Sequence, residues 1–461
     1  MNLKKLFGTA ALISLGLVNG YQGYAFAGTQ VDPANATRLL DRQGQHFKQR
    51  VEKLSNHVYT AIGFHGANTT MIEGDDGVII VDTLMGPESA ENALREFRKF
   101  SKKPVKAIIY THSHGDHTGG SAVFAEGQSL DIYAMESFDA DEEVYAPLEQ
   151  ISLARGARQF GRKLLSEEKT NRGVGPADTI DHDRGQGYLK PTIFVGPKGK
   201  KINIAGIDLE LHPCPGETDD ALFVWLPEEK VMIAGDNFYQ SFPNLYAIRG
   251  TPYRNVLNWS QSVAKMASYS PSVLIPGHTS PIVGKNEATQ ALKDYSEAIS
   301  FIYNYTLNGI SMGKSAEVIA NDFSFPLHLQ DKPYLMEFYG STHHAIKAIY
   351  SGLLGWFEGN PRTLNPLSPE QEALKFAELA GGAEDLCQSM KSALDKGEFQ
   401  WALELSDRLK YLGEAYLSIA REAKVRALRG LAAREYNAPN RNYYLSYARE
   451  LESGELNEIW N

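Results

Sequence analysis

Cysteine is almost absent from this sequence: only Cys214 and Cys387 occur among 461 residues. They lie far apart in segments of different character, which excludes a disulfide-stapled fold and leaves stability to apolar packing. Positive charge is in deficit as well. Lys and Arg number 46 against 56 Asp and Glu, a net charge of -10. That is the wrong sign for gripping a phosphate backbone, so no nucleic-acid partner is expected. Beyond the leading residues no apolar run reaches the ~20 residues that a spanning helix needs, so no membrane span is expected either.

What is present is ordinary for a globular chain: 43% hydrophobic and 22% charged residues, with 41 glycines and 21 prolines. This composition excludes disorder, collagen and continuous coiled coil. At roughly 150 residues per domain the length suggests two or three domains, each able to bury a full core. Residues 1–27 stand apart. Lys4 and Lys5 precede an apolar run from Leu6 to Val18, and Ala25-Phe26-Ala27 precedes Gly28. This is the pattern of a secretory signal peptide, so a periplasmic or secreted protein is expected after its removal.

Up to about residue 285 short apolar runs alternate with glycine-rich turns; beyond it the pattern is helical almost throughout. A boundary near Gly284 to Glu287 separates an α/β domain, residues 28–285, from an α-helical domain, residues 286–461. In the first, Thr70-Met71-Ile72 and Gly77 to Asp82 read as a hairpin. Val105 to Tyr110, Ile202 to Leu211, Ala221 to Leu226, Val231 to Ile233 and Val273 to Ile275 are further strand candidates. In the second, Leu386, Met390, Ala393 and Leu394 form one helical stripe and Trp401, Leu405, Leu409 and Leu412 the next, split by Asp395-Lys396-Gly397. That is the grammar of tetratricopeptide-like hairpins, here suited to helix packing or dimerisation.

The strongest signal is Thr111-His112-Ser113-His114-Gly115-Asp116-His117-Thr118, directly after the strand candidate ending at Tyr110. Imidazole nitrogen and carboxylate oxygen are ligands that zinc accepts, and glycine lets the loop wrap closely. Residues two apart in extended chain point the same way, so His112 and His114 can grip one ion while Asp116 and His117 turn toward a second. Three more strand ends run into turns bearing a possible ligand: Cys214-Pro215-Gly216-Glu217, Gly235-Asp236-Asn237 and Pro276-Gly277-His278. Singly each is an ordinary turn residue. Together they supply what a two-metal site lacks, at strand ends where an open sheet collects its ligands.

His112-x-His114-x-Asp116-His117 resembles the signature of the metallo-β-lactamase superfamily. Glu217, where most members have histidine, is similar to the alkylsulfatase branch, which cleaves sulfate esters of alkyl alcohols. Also similar are Asn244-Leu245-Tyr246-Ala247-Ile248-Arg249-Gly250, Tyr339-Gly340-Ser341 through His344, and Leu354-Gly355-Trp356-Phe357-Glu358-Gly359-Asn360-Pro361 leading to Leu364-Asn365-Pro366-Leu367. The resemblance implies an αββα sandwich followed by a helical dimerisation domain, and hence a homodimer.

It also implies two zinc ions, one held by His112, His114 and Glu217, the other by Asp116, His117 and His278, with Asp236 bridging. The branch usually has glutamate at the bridging position, whereas Asp236 matches the wider superfamily. Cys214 is read as a buried small residue and not a ligand.

The activity implied is hydrolysis of an alkyl sulfate ester by a hydroxide between the metals, with Asp116 and Arg249 as catalytic groups. Arg249 is the expected sulfate clamp, because a guanidinium offers paired donors to two oxygens. Asn244, Tyr246 and His344 join it as substrate-binding candidates, the last two also as candidate general acids. Whether the S–O or the C–O bond breaks is left open. Many relatives carry a further sterol-carrier-like domain; with the sequence ending at Asn461, shorter alkyl chains are expected as substrates. The alternatives are another hydrolase on the same scaffold, namely a lactonase, thioesterase or β-lactamase, and a helical interaction protein with a vestigial metal loop.

Overall fold

β-Branched and aliphatic runs build two sheets. The computed structural model describes residues 30–138, 148–177, 179 and 182–456; the expected signal peptide, residues 1–27, lies outside them. The first sheet contains β1 (Arg50–Lys53), β2 (Val58–Ile62), β3 (Thr69–Glu73), β4 (Val78–Val81), β5 (Val105–Ile109), β6 (Asp131–Met135) and β7 (Ile193–Val195), paired in that order. Pairing is antiparallel as far as β4 and parallel from β4 to β7. β2 and β4 are buried along their whole length, as strands covered on both faces must be.

The second sheet contains β8 (Lys200–Ile204), β9 (Ile207–Pro213), β10 (Leu222–Leu226), β11 (Val231–Ile233), β12 (Val273–Ile275) and β13 (Ile282–Val283). Its order is β13-β12-β11-β10-β9-β8, parallel only between β11 and β12. The run read as one strand from Ile202 to Leu211 is therefore a hairpin. Ala205 and Gly206 turn it with φ of 51° and 82°, the pair of positive angles that a two-residue turn between twisted strands requires. Only Gly206 signalled that turn, because alanine seldom adopts a left-handed conformation.

Helices α1 (Pro33–Gly44), α2 (Pro87–Phe97), α3 (Gly115–Thr118), α4 (Ser121–Ala125), α5 (Glu149–Gln159) and α6 (Val256–Ser268) lie among the strands. After β13 come α7 (Lys285–Ser311), α8 (Ala316–Asn321), α9 (Leu327–Gln330) and α10 (Thr342–Leu354). They are followed by α11 (Pro369–Ala380), α12 (Ala383–Lys396), α13 (Phe399–Leu409), α14 (Glu414–Ala433) and α15 (Ala438–Ser453). Three apolar layers hold the sandwich. Between the sheets, Ile72, Ile79 and Ile109 meet Leu209, Leu211 and Val224. Outside the first sheet, Ile80 and Ile108 pack on Ala90, Ala93 and Phe97 of α2. Outside the second, Phe223, Met232 and Leu274 pack on Trp259 and Val263 of α6 and on Tyr295 and Ile299 of α7. The change from strand to helix periodicity thus falls at α7, a helix that still shares the core of the second sheet.

A separate core joins α12 to α15 through Leu386, Met390, Leu405, Leu409, Leu428 and Leu451. Gly397, with φ of 72°, closes α12 in the left-handed region. On α13 the stripe holds at Leu405 and Leu409, with Leu412 packed beside them, but its first member is Ala402, which is buried, and not Trp401, which is 42% exposed. Both 401 and 402 keep helical spacing to Leu405, so periodicity alone does not choose between them. From the end of α10 through α11, Leu354, Trp356, Leu364, Leu367 and Leu379 are exposed, Trp356 by 73%. Among the described residues no helix is long and apolar enough to cross a membrane.

The different burial of two neighbours on α13 gives an expected contrast. Leu405→Ala should destabilise by about 2–5 kcal/mol, while Trp401→Ala should change stability by no more than about 1 kcal/mol, both read from denaturant unfolding midpoints. Equal losses would refute this placement of the stripe.

Candidate metal centre

Four strand ends deliver one cluster. β5 stops at Ile109, and the chain then places His112 and His114 before α3, which carries Asp116 and His117. Glu217 follows β9, Asp236 sits in the single turn Gly235–Asn237 after β11, and His278 follows β12. The His112 Nε2 lies 3.0 Å from the His114 Nδ1 and 3.7 Å from the Asp236 Oδ2. The His278 Nε2 lies 3.1 Å from the Asp236 Oδ2 and 3.7 Å from the Asp116 Oδ2. His114 faces Glu217 at 3.9 Å.

Ligand atoms fall within 4.8 Å of one another in three groups: His112, His117 and Asp236; Asp116, His117 and His278; His114, Glu217 and Asp236. Every side chain singled out as a metal ligand is in at least one of them. The His117 Nε2 and Asp236 Oδ1 are 3.3 Å apart, both buried and neither hydrogen-bonded. Buried polar atoms normally find partners, so these unspent lone pairs, together with the imidazole and carboxylate donor set, fit divalent metal ions.

The outer side of each ring is also arranged. Asp82 accepts from the His117 Nδ1 at 2.7 Å and from the Thr111 backbone N–H and hydroxyl, both at 2.8 Å. Its own φ of 57° turns the carboxylate off the end of β4. The His278 Nδ1 donates to the carbonyls of Gly66 and Val174 at 2.7 and 2.8 Å. Such bonds fix the tautomer and leave the Nε2 lone pair free for a metal. Asp82 was missed in the sequence because an acid ending a strand has no distinguishing spacing.

Crowding sets the protonation. Burial alone lowers a histidine, but Asp236 and Asp116 outweigh it and bring His278 up to about 9. His117 is also raised, burial being overcome by Asp236, Asp82 and Asp116. Burial and His117 push His112 down to about 4. Asp116 and Asp236 stay well below the usual carboxylate range, because His117 and His278 overcome burial. Burial carries Glu217 up to about 7 even with Arg254 beside it. Protons therefore do the neutralising at pH 7 when cations do not, and metal binding must release them.

Arg254 was missed entirely. Its guanidinium lies 3.0 Å from the Glu217 Oε1, with both side chains 4% exposed. A signal existed in principle: a carboxylate where most of the superfamily has imidazole adds a buried negative charge, which calls for a buried cation.

Arg249 is half-buried. Its backbone N–H donates to the Gln159 Oε1 at 3.0 Å, while Arg155 of α5 donates to the Ile248 carbonyl at 2.7 Å. Its charge helps to lower His114, after burial and His112. Asn244 is buried with its Nδ2 unpartnered. Tyr246 is half-buried. His344 stands on α10, where burial, His343 and Lys347 push it down to about 4. Among the described residues neither Tyr246 nor His344 shows a hydrogen bond, ion pair or ring contact with a ligand residue. Cys214 lies wholly in the apolar core with its thiol pushed up to about 12 by burial, so it stays a neutral packing residue.

Comparison with known proteins agrees with this architecture. The family model described as metallo-beta-lactamase superfamily matches residues 62–278, and that described as alkyl sulfatase dimerisation matches residues 315–454. A linear primary-alkylsulfatase of a Pseudomonas species is 32% identical over 83% of this chain and 73% of its own length. An alkyl/aryl-sulfatase of Saccharomyces cerevisiae is 30% identical over 95% and 70%. The solved structure of a stereoselective inverting sec-alkylsulfatase from a Pseudomonas species superimposes with a TM-score of 0.82 at 26% identity, over 93% of this chain and 73% of the other.

One glycine tests the centre without altering a ligand. A Cβ on Gly277 would lie 2.0 Å from the Asp236 Oδ1 and 2.7 Å from the Gly235 backbone. Gly277→Ala should therefore displace Asp236 and lower bound metal at least about tenfold, a loss comparable to that of an outer-shell partner. Metal analysis after dialysis reads this; an alanine variant retaining a full complement would refute the placement of Asp236.

Proposed function

Since the chain belongs to the alkylsulfatase family of the metallo-β-lactamase superfamily, we propose that it hydrolyses alkyl sulfate esters to alcohol and inorganic sulfate at a centre of two zinc ions. His112, His114 and Glu217 would hold one ion and Asp116, His117 and His278 the other, with Asp236 shared. Bound there, the pair would supply Lewis acidity and activate water as a nucleophile near neutral pH.

The protein's own groups do the rest. Asp82 and the Gly66 and Val174 carbonyls keep the imidazoles in the ligating tautomer. An alkyl sulfate brings one fixed negative charge and an oxygen-rich head. Arg249 would pair two of those oxygens, and the unpartnered Asn244 Nδ2 would donate to a third. Asp116, kept ionised by His117 and His278 in spite of burial, would serve both as a metal ligand and as a catalytic carboxylate. The observation that carries the reading is the convergence of the ligand side chains beside two guanidiniums whose charges act on His114 and Glu217.

The helical part would pair two copies. Leu354, Trp356, Leu364, Leu367 and Leu379 are exposed within the residues matched by the dimerisation model, and large apolar side chains left exposed in this way suit an interaction surface.

The chemical reading is tested by sulfate release from primary and secondary alkyl sulfates in isotopically labelled water, beside a nitrocefin assay. Release should vanish on chelation and return with zinc, and label in sulfate or in alcohol reports the bond broken. Arg249→Ala should raise KM about 10- to 100-fold, the loss of a charge-assisted contact of about 1.5–3 kcal/mol. Nitrocefin turnover without sulfate release would overturn the reading. For the assembly, Trp356→Asp combined with Leu367→Asp should convert a dimer into a monomer in sedimentation velocity; a monomeric parent protein would refute the dimer.

A further inference from the structure

Both oxygens of Glu217 are tethered to the peptide groups of one residue. Its Oε1 lies 3.0 Å from the Arg254 Nη1, and that same nitrogen donates to the backbone carbonyl of Asn244. Its Oε2 accepts from the Tyr239 hydroxyl at 3.4 Å, and that hydroxyl accepts from the backbone N–H of Asn244 at 2.7 Å. A closed ring thus runs from carboxylate to guanidinium to peptide to phenol and back. All four residues are buried, and the Asn244 Nδ2, outside the ring, is buried and unpartnered.

We propose that Arg254 and Tyr239 are positioning residues that lock the metal ligand Glu217 to the backbone of Asn244, so that the metal centre and the amide which meets sulfate are held as one body. This rests on the sulfatase reading above. Histidine in place of Glu217 could not close the ring: once one ring nitrogen binds metal, a single nitrogen is left for two tethers. A carboxylate has lone pairs enough on two oxygens for a metal, a guanidinium and a phenol. Among side chains this deeply buried, charge-assisted contacts of this kind are at their strongest and fix a geometry most firmly. Neither positioning residue need touch substrate.

The test uses the full chain and two ligands, zinc and inorganic sulfate. Tyr239→Phe removes one oxygen, and Arg254→Lys keeps the charge but loses the planar guanidinium whose Nη1 meets both acceptors. Each should weaken zinc about 10- to 100-fold in chelator competition, and weaken sulfate binding to the zinc-loaded protein about tenfold. Tyr295→Phe is the control, since that hydroxyl is as deeply buried but donates to the Ser241 carbonyl; it should change neither affinity. Because Tyr239 acts through Asn244, the double variant Tyr239→Phe/Asn244→Ala should lose no more sulfate affinity than Asn244→Ala alone.

Wild-type zinc and sulfate affinities in folded Tyr239→Phe, or additive losses in the double variant, would overturn the proposal. If Arg254→Lys does not fold, Tyr239→Phe decides alone. Zinc competition needs no turnover, so a parent protein that releases no sulfate refutes the sulfatase reading while the lock is still judged on zinc.

Discussion

Ionisable groups that water would otherwise solvate are forced together into one small buried space, and the rest of the molecule is built around that necessity. Four imidazoles and three carboxylates meet at the ends of β5, β9, β11 and β12. The Asp236 and Glu217 side chains are almost fully buried. Carboxylates in such surroundings are costly unless paired or coordinating. Protons on His117 and His278 provide one settlement; divalent cations provide a better one, because an ion can be shared by several ligands at once.

The supports of the site come from both sheets and from the helices. Asp82 leaves β4 to hold His117, while Gly66 and Val174, from separate loops, hold His278. Gly277 lets the β12 turn press against Asp236 and Gly235, closer than any side chain would allow. Gly340 plays the same part between the helical region and the loop carrying Asn244: a Cβ there would lie 2.0 Å from the Pro243 carbonyl, one residue before Asn244. On the other side of that loop, α5 holds Arg249 through Gln159 and Arg155. Arg158 of α5 pairs with Glu450 of α15 at 2.8 Å. The sulfate-binding candidates are therefore braced by the C-terminal helices and not by the sandwich alone.

Glutamate at 217 is the feature that separates this centre from the histidine-bearing members of the superfamily. Its charge has to be compensated in a buried place, and Arg254 supplies the compensation. Arg249 adds a second guanidinium whose charge acts on His114 and Glu217, which suits an anionic ligand.

Much of this was written locally in the chain. The strands were legible because apolar runs of strand length alternate with glycine turns, and the candidate ligands because each stands where such a run stops: His112 to His117 after Tyr110, Glu217 after Leu211, Asp236 after Ile233, His278 after Ile275; the stacking of two sheets was implied by the family resemblance alone. The hairpin at Ala205-Gly206 was not legible, since alanine gives no sign of the left-handed angle it adopts. On α13 only Trp401 was misassigned, because it is apolar whichever way it faces and lies at a helical spacing from Leu405. Asp82, Tyr239 and Arg254 were missed for a different reason. Their roles consist only of partners, and partners separated by tens of residues become neighbours through chain closure. Residue chemistry and strand periodicity are local properties, so the sequence alone determined the ligand types and the fold class; which carboxylate orients which imidazole, and which arginine answers Glu217, is decided by distances that exist only once both sheets have packed.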